Sequence, residues 1–90
     1  MRIDYTHIFI KQYKKAPQKV KSAWKKRLKL FIQDQFNPIL NNHQLTGEYK
    51  DHKSINVTGN WRAIFYEQKD SKGNEYVLFK FMGTHPQLYR

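Results

Sequence analysis

Apolar and polar positions change their repeat partway along the chain, and that change organises the reading. Residues 2–5 read as a short first strand. Thr6 can cap a helix running to about residue 15, with Ile8, Phe9 and Tyr13 on one side. Lys15-Ala16-Pro17 breaks it, and Pro17 suits the first turn of a second helix over 17–34. There Val20, Trp24, Leu28, Phe31 and Ile32 recur at helical spacing and predict a buried stripe. Phe36-Asn37-Pro38 ends this helix, because the residue before proline is driven out of the helical region. Residues 39–47 read as a connection, with a helical turn over 38–41.

From Tyr49 the repeat becomes two. The spacing predicts a strand over 53–58, with Ile55 and Val57 on one face and Ser54, Asn56 and Thr58 on the other. Gly59-Asn60 is a two-residue hairpin signal. In the next strand, 61–68, Trp61, Ala63 and Phe65 share a face opposite Arg62, Ile64 and Tyr66. A polar loop over 70–74 precedes a strongly apolar strand over 76–82, after which the tail 83–90 leaves the sheet. The order β-α-α-β-β-β over a single domain, 1–90, predicts an α+β fold: an antiparallel twisted sheet packed against two N-terminal helices.

Size and composition narrow the function. Ninety residues build one modest core, which excludes a two-domain enzyme with a deep cofactor cleft. The absence of cysteine removes disulfides, cysteine zinc sites and thiol nucleophiles, and fits a reducing cytoplasm. No apolar run approaches the roughly 20 residues that span a bilayer, and the N-terminus lacks the pattern of a signal peptide. The net charge of +10 is uneven. Residues 1–33 carry ten Lys/Arg and one acid, a net of +9, whereas 34–90 carry seven against six, a net of +1. Lys14, Lys15, Lys19, Lys25, Lys26 and Lys29 belong to this excess, which favours a polyanionic partner, nucleic acid foremost, over a membrane.

The sequence offers no metal motif, no glycine-rich phosphate loop and no serine-triad context, so neither metal nor cofactor is expected. Histidines, cations and aromatics on turns and strand ends remain. Cleavage of a phosphodiester by its own 2′-hydroxyl needs a base for that hydroxyl, an acid for the leaving 5′-oxygen and cations around the phosphorane. His43 and His85 suit the proton transfers, Arg62 can bracket a phosphate, and Tyr89 can stack on a base.

The segments Asn42-His43-Gln44-Leu45-Thr46-Gly47 and Ser54-Ile55-Asn56-Val57-Thr58-Gly59-Asn60-Trp61-Arg62, and the ending Gly83-Thr84-His85-Pro86-Gln87-Leu88-Tyr89, together resemble the RelE/ParE superfamily of bacterial toxins. Within it they are most similar to the YafQ-like group of messenger-RNA interferases. The resemblance spans nearly the whole chain and implies a RelE-like microbial ribonuclease fold. It also implies a ribosome-dependent endoribonuclease that cuts messenger RNA and is held inactive by an antitoxin, of the ribbon-helix-helix kind with an acidic segment. It implies catalytic roles for His43 and His85, an RNA-positioning role for Tyr89 and a phosphate-binding role for Arg62, and it makes Asn60 a further catalytic candidate, since His43 or Asn60 would sit near the 2′-hydroxyl. Lys50, Lys53 and Asn56 are expected against the RNA, and the six helix lysines against the ribosome.

Two positions depart from the family pattern. Asn56 stands where a histidine is frequent, and Asn60 where aspartate usually precedes the tryptophan. Asparagine keeps the shape of aspartate but can neither hold a negative charge nor take a proton. Asn60 thus leaves several readings open. The chain is a weakened nuclease, a nuclease for which His43 and His85 suffice, or a bearer of an introduced change. Two further alternatives are a non-catalytic relative that still binds antitoxin or ribosome, and a gyrase-inhibiting toxin of the ParE type.

Overall fold

A computed structural model describes residues 1–89. Its elements run β1 (Ile3–Tyr5), α1 (His7–Lys15), α2 (Gln18–Gln33), β2 (His43–Gln44), β3 (Lys53–Asn56), β4 (Trp61–Lys69), β5 (Glu75–Thr84) and α3 (His85–Leu88). Short 3-10 turns occupy Pro38–Leu40 and Gly47–Tyr49.

The expected α+β architecture holds, with one correction to the sheet. Five strands lie in the order β1-β5-β4-β3-β2, and β1 runs parallel to its neighbour β5 while the other pairs are antiparallel. The sheet is therefore mixed. Ile3 pairs with Val77 and Tyr5 with Phe79, so the two ends of the chain meet at one edge of the central pair.

The helices cover one face. Phe9, Val20, Trp24 and Phe31 pack on Ile55, Val57, Ala63, Phe65, Val77, Phe79 and Met82. Phe79 is the hub: its ring centroid lies 5.0 Å from Trp24, 5.2 Å from Phe65, 5.6 Å from Phe31 and 5.7 Å from Phe9. Two residues expected in the helix stripes are instead solvent-facing, Ile8 at 52% exposure and Ile32 at 49%. Each sits at the edge of an apolar arc that the narrow sheet does not fully cover. Trp61 is half-buried at the margin of the core.

A β-bulge reorders β5. Ile64 pairs with Phe81 but Phe65 pairs with Phe79, so Lys80 is an extra residue without a partner across β4. Plain alternation would carry the core positions 77 and 79 on to 81. The bulge shifts parity, so Met82 enters the core while Phe81 packs against a second cluster of Leu45, Ile64 and Leu88 on the opposite face. Thr6 fastens the bulge to α1. Its backbone N–H donates to the Phe79 carbonyl (3.0 Å), its hydroxyl donates to the Lys80 carbonyl (2.7 Å), and the same oxygen accepts from Phe9 N–H as the helix cap.

The β3–β4 connection also departs from expectation. β3 ends at Asn56, opposite Arg62, so residues 57–60 form a four-residue loop in place of a two-residue hairpin turn. Gly59 is not among the residues with positive φ, which a primed two-residue turn would demand. The Thr58 hydroxyl instead accepts from the Trp61 N–H at 3.1 Å and the Asn60 N–H at 3.4 Å. The connecting segment 39–47 contains the short edge strand β2, and the tail forms α3, neither of which was expected. The anticipated turn near residue 38 is present.

Removing the Phe79 ring leaves a void at the meeting point of five other aromatic rings, Tyr5 among them. Phe79→Ala should lower unfolding stability by about 3–5 kcal/mol, read from the urea midpoint at unchanged slope.

Candidate active site

The face of the sheet away from the long helices carries an open cleft of about 340 Å³, lined by Asn41, His43, Leu45, Arg62, His85 and Tyr89. Four candidates chosen from sequence thus share one cleft, delivered by β2, β4 and α3.

His43 is oriented by the turn before it. Asn41 closes the Pro38–Leu40 turn in the left-handed region, at φ 47°. Its carbonyl lies 2.7 Å from His43 Nδ1. A carbonyl only accepts, so Nδ1 carries the proton in the neutral ring and Nε2 keeps its lone pair free. His43 is therefore held in the tautomer a general base requires.

Arg62 leaves β4 beside the 57–60 loop. Its Nη1 donates to the carbonyls of Thr58 (2.9 Å), Gly59 (3.1 Å) and Trp61 (3.1 Å). This fixes the guanidinium through one amino group, while Nη2 and Nε make no hydrogen bond among the described residues. Neither Glu67 nor Glu48 engages it; Glu67 pairs with Lys53.

α3 places the other histidine. Thr84 and Gln87 form a reciprocal capping box, and Pro86 stands in the first turn. The His85 N–H donates to the Asn60 carbonyl at 2.9 Å, which ties the helix start to the β3–β4 loop. One turn on, Tyr89 brings its ring to 4.7 Å from the imidazole of His85. Its hydroxyl donates to Ser54 Oγ at 3.1 Å, and Ser54 is fully buried. Gly83 allows this close seating, because a Cβ there would lie 3.0 Å from Gln87 Oε1 and 3.3 Å from Leu88 Cγ.

The remaining candidates distribute unevenly. Asn60 is exposed at the cleft's margin and joins it through its backbone. Asn56 is paired with Arg62 in register, and its Oδ1 is buried with no hydrogen-bond partner among the described residues. Lys50 is exposed next to the Gly47–Tyr49 turn, outside the cleft lining, and its carbonyl accepts from the Gln44 amide. Lys53 is not brought to the cleft. It stands opposite Phe65, on the helix-covered face, and its ammonium meets Glu67 at 2.7 Å. Lys14, Lys15, Lys19, Lys25, Lys26 and Lys29 are all exposed on α1 and α2.

Three residues near the site escaped the sequence reading. Ser54 gives no signal beyond its place in an alternating strand. Lys80 reaches this face through the bulge, with its ammonium 5.0 Å from the Tyr66 ring centroid. His52 lies between Tyr66 (5.1 Å) and Tyr49 (5.8 Å), with both ring nitrogens buried and without a hydrogen-bond partner among the described residues. Burial and the Lys80 charge push its imidazole below the ordinary histidine value, while Asp51 and the nearby Tyr49 backbone carbonyl pull the other way. The folded protein thus binds this proton less well than the unfolded chain. Its stabilising share is complete above about pH 6.5 and is lost as pH falls below that value. The urea midpoint should drop between pH 7.5 and pH 5, and His52→Phe should flatten that dependence.

Comparison with known proteins adds three findings. The family model described as "Bacterial toxin of type II toxin-antitoxin system, YafQ" matches residues 1–90. No curated protein sequence matches significantly. Among solved structures, YafQ from E. coli strain BL21(DE3) superposes with a TM-score of 0.79 at 21% identity, covering 100% of both chains. The YafQ chain of the E. coli DinJ–YafQ toxin–antitoxin complex gives 0.75 at 22% identity, over 98% of this chain and 96% of that one. A YoeB/ParE toxin from Agrobacterium tumefaciens gives 0.73 at 11% identity, over 94% and 99%.

Proposed function

The chain belongs to the YafQ family of bacterial toxins of type II toxin–antitoxin systems, and on that footing we propose that it is a ribosome-dependent endoribonuclease acting on messenger RNA. The observation that carries the reading is the shared cleft of His43, Arg62, His85 and Tyr89. His43 Nε2 takes the proton of the 2′-hydroxyl, whose oxygen attacks the adjacent phosphorus. His85 gives its proton to the departing 5′-oxygen, leaving a 2′,3′-cyclic phosphate and a 5′-hydroxyl. Arg62 meets the charge that develops on the phosphorane with the amino groups its loop contacts leave free. Tyr89 stacks on a base beside the scissile bond.

The exposed lysines of α1 and α2 dock the protein on ribosomal RNA, so binding should weaken steeply with salt. The same +9 segment suits an antitoxin whose acidic segment orders upon it. The E. coli DinJ–YafQ toxin–antitoxin complex supports an antitoxin as partner. These events belong in the cytoplasm. Among the described residues no helix is long and apolar enough to cross a membrane.

Asn60 favours a second reading, a binder that has lost cleavage. Induced expression separates the two. Growth arrest that His85→Ala relieves, with cleavage on ribosomes falling about 10²–10⁴-fold, supports the nuclease. Equal arrest by both forms removes His85 from catalysis. A chain that cuts nothing until Asn60→Asp is introduced, yet binds ribosomes tightly, is the binder.

A further inference from the structure

The two histidines of the cleft are held in different ways. The His43 imidazole bonds the Asn41 carbonyl at 2.7 Å. The His85 imidazole stands exposed against the Tyr89 ring, with centroids 4.7 Å apart and planes inclined by 53°. The aim of His85 therefore depends on where that ring is kept. Tyr89 lies one residue past α3, and its N–H bonds the His85 carbonyl at 2.9 Å. This fixes the backbone and leaves the side-chain torsions to be set by other contacts. Tyr49 meets the ring edge-on at 6.2 Å. The directional contact is at the far end, where the phenol donates to Ser54 Oγ at 3.1 Å.

Ser54 is a polar residue at 0% exposure within β3. A hydroxyl taken out of water costs free energy unless it is bonded, and alanine would fill the same place without that cost. The register gives the hydroxyl a use. Across one side of β3 Ser54 pairs with His43, and across the other with Ile64. Directly opposed residues of antiparallel strands share a face, so Ser54 and His43 are neighbours on the cleft side of the sheet. Ser54 thus stands beside one histidine and, through a phenol, behind the other.

We propose that Ser54 is a positioning residue for His85. By holding the Tyr89 hydroxyl it sets the Tyr89 ring, and the ring sets the imidazole at a fixed separation from His43. Ser54 itself touches no substrate and moves no proton. The phenol, committed to Ser54, serves as a tether and not as an acid. The placement stands on the fold alone; its bearing on cutting rests on the nuclease reading.

Ser54→Ala and Tyr89→Phe each remove one end of the bond and keep the aromatic ring. An aromatic ring displaces the magnetic resonances of protons lying against it, so the imidazole C–H signals of His85 in the whole protein report the placement without any substrate. In both variants these signals should move towards those of a histidine in an unfolded chain. The signals of His7, on α1, should stay, and the melting temperature should fall by only a few degrees. Cutting of message on ribosomes should drop on the order of tenfold in each variant, the worth of one hydrogen bond. The double variant should lose no more than either single, because both remove the same bond. Unmoved His85 signals overturn the proposal. So do single losses that multiply in the double variant, since the two hydroxyls then act apart. Signals of His7 that move together with those of His85 overturn it as well, as the mark of general loosening. Displaced His85 signals with undiminished cutting remove Ser54 from any role in the reaction. A protein that cuts nothing before substitution, with His85 signals displaced in both variants, instead overturns the nuclease reading and leaves the placement of His85 by Ser54 standing.

Discussion

One unpaired residue in β5 decides what faces what. Because Lys80 has no partner across β4, the strand serves two cores: Val77, Phe79 and Met82 turn to the helices, and Phe81 turns the other way. A bulge leaves backbone groups outside the ladder, and buried groups of that kind need partners. Thr6 supplies them, bonding the Phe79 and Lys80 carbonyls while capping α1. A single side chain thus joins the irregularity of the central strand to the start of the helical layer. The parity shift also governs how β5 arrives at Gly83 and Thr84, and hence where α3 stands.

The two faces of the sheet divide the chemistry. The helical face is closed by aromatic packing, and the helices carry most of the excess of positive over negative charge. The opposite face is closed only in part, by the small cluster of Leu45, Ile64 and Leu88, and the cleft opens beside it. Small elements achieve precision there by being tied at several points. α3 has four residues, too few to hold a helix by themselves. Its capping box, the Asn60 carbonyl, the buried Leu88 and the Tyr89–Ser54 bond together fix it. His43 depends in the same way on a left-handed asparagine two residues earlier.

Much of this was legible in the residues. The 3.6-residue spacing from Val20 to Phe31 gives α2, and alternation gives β3, β4 and β5, because both signals are local. His43, Arg62, His85 and Tyr89 emerge as candidates from their residue types and from the family pattern, and they converge in space. What escaped is non-local. The parallel pairing of β1 with β5 joins segments far apart in the chain, and neither strand carries a mark of the other. The bulge shows no signature, since Phe-Lys-Phe-Met alternates well enough by itself. Ser54 reads as a polar position on an exposed face, yet it is sealed beneath Tyr89. Lys53 looked like a phosphate ligand because its charge was legible and its facing was not. Its strand begins on the residue that pairs with Phe65, which sends the ammonium to Glu67.

The tie between Thr6 and Lys80 spans 74 residues. During synthesis, the N-terminal helices leave the ribosome long before the strand on which they must pack. Their apolar stripes can find only transient cover until Phe79 emerges, and His85 follows within a few residues. Core and candidate cleft therefore form almost together, once β5 and α3 have been made. A chain interrupted before β5 lacks the aromatic hub of its core and two of the residues that line the cleft, His85 and Tyr89.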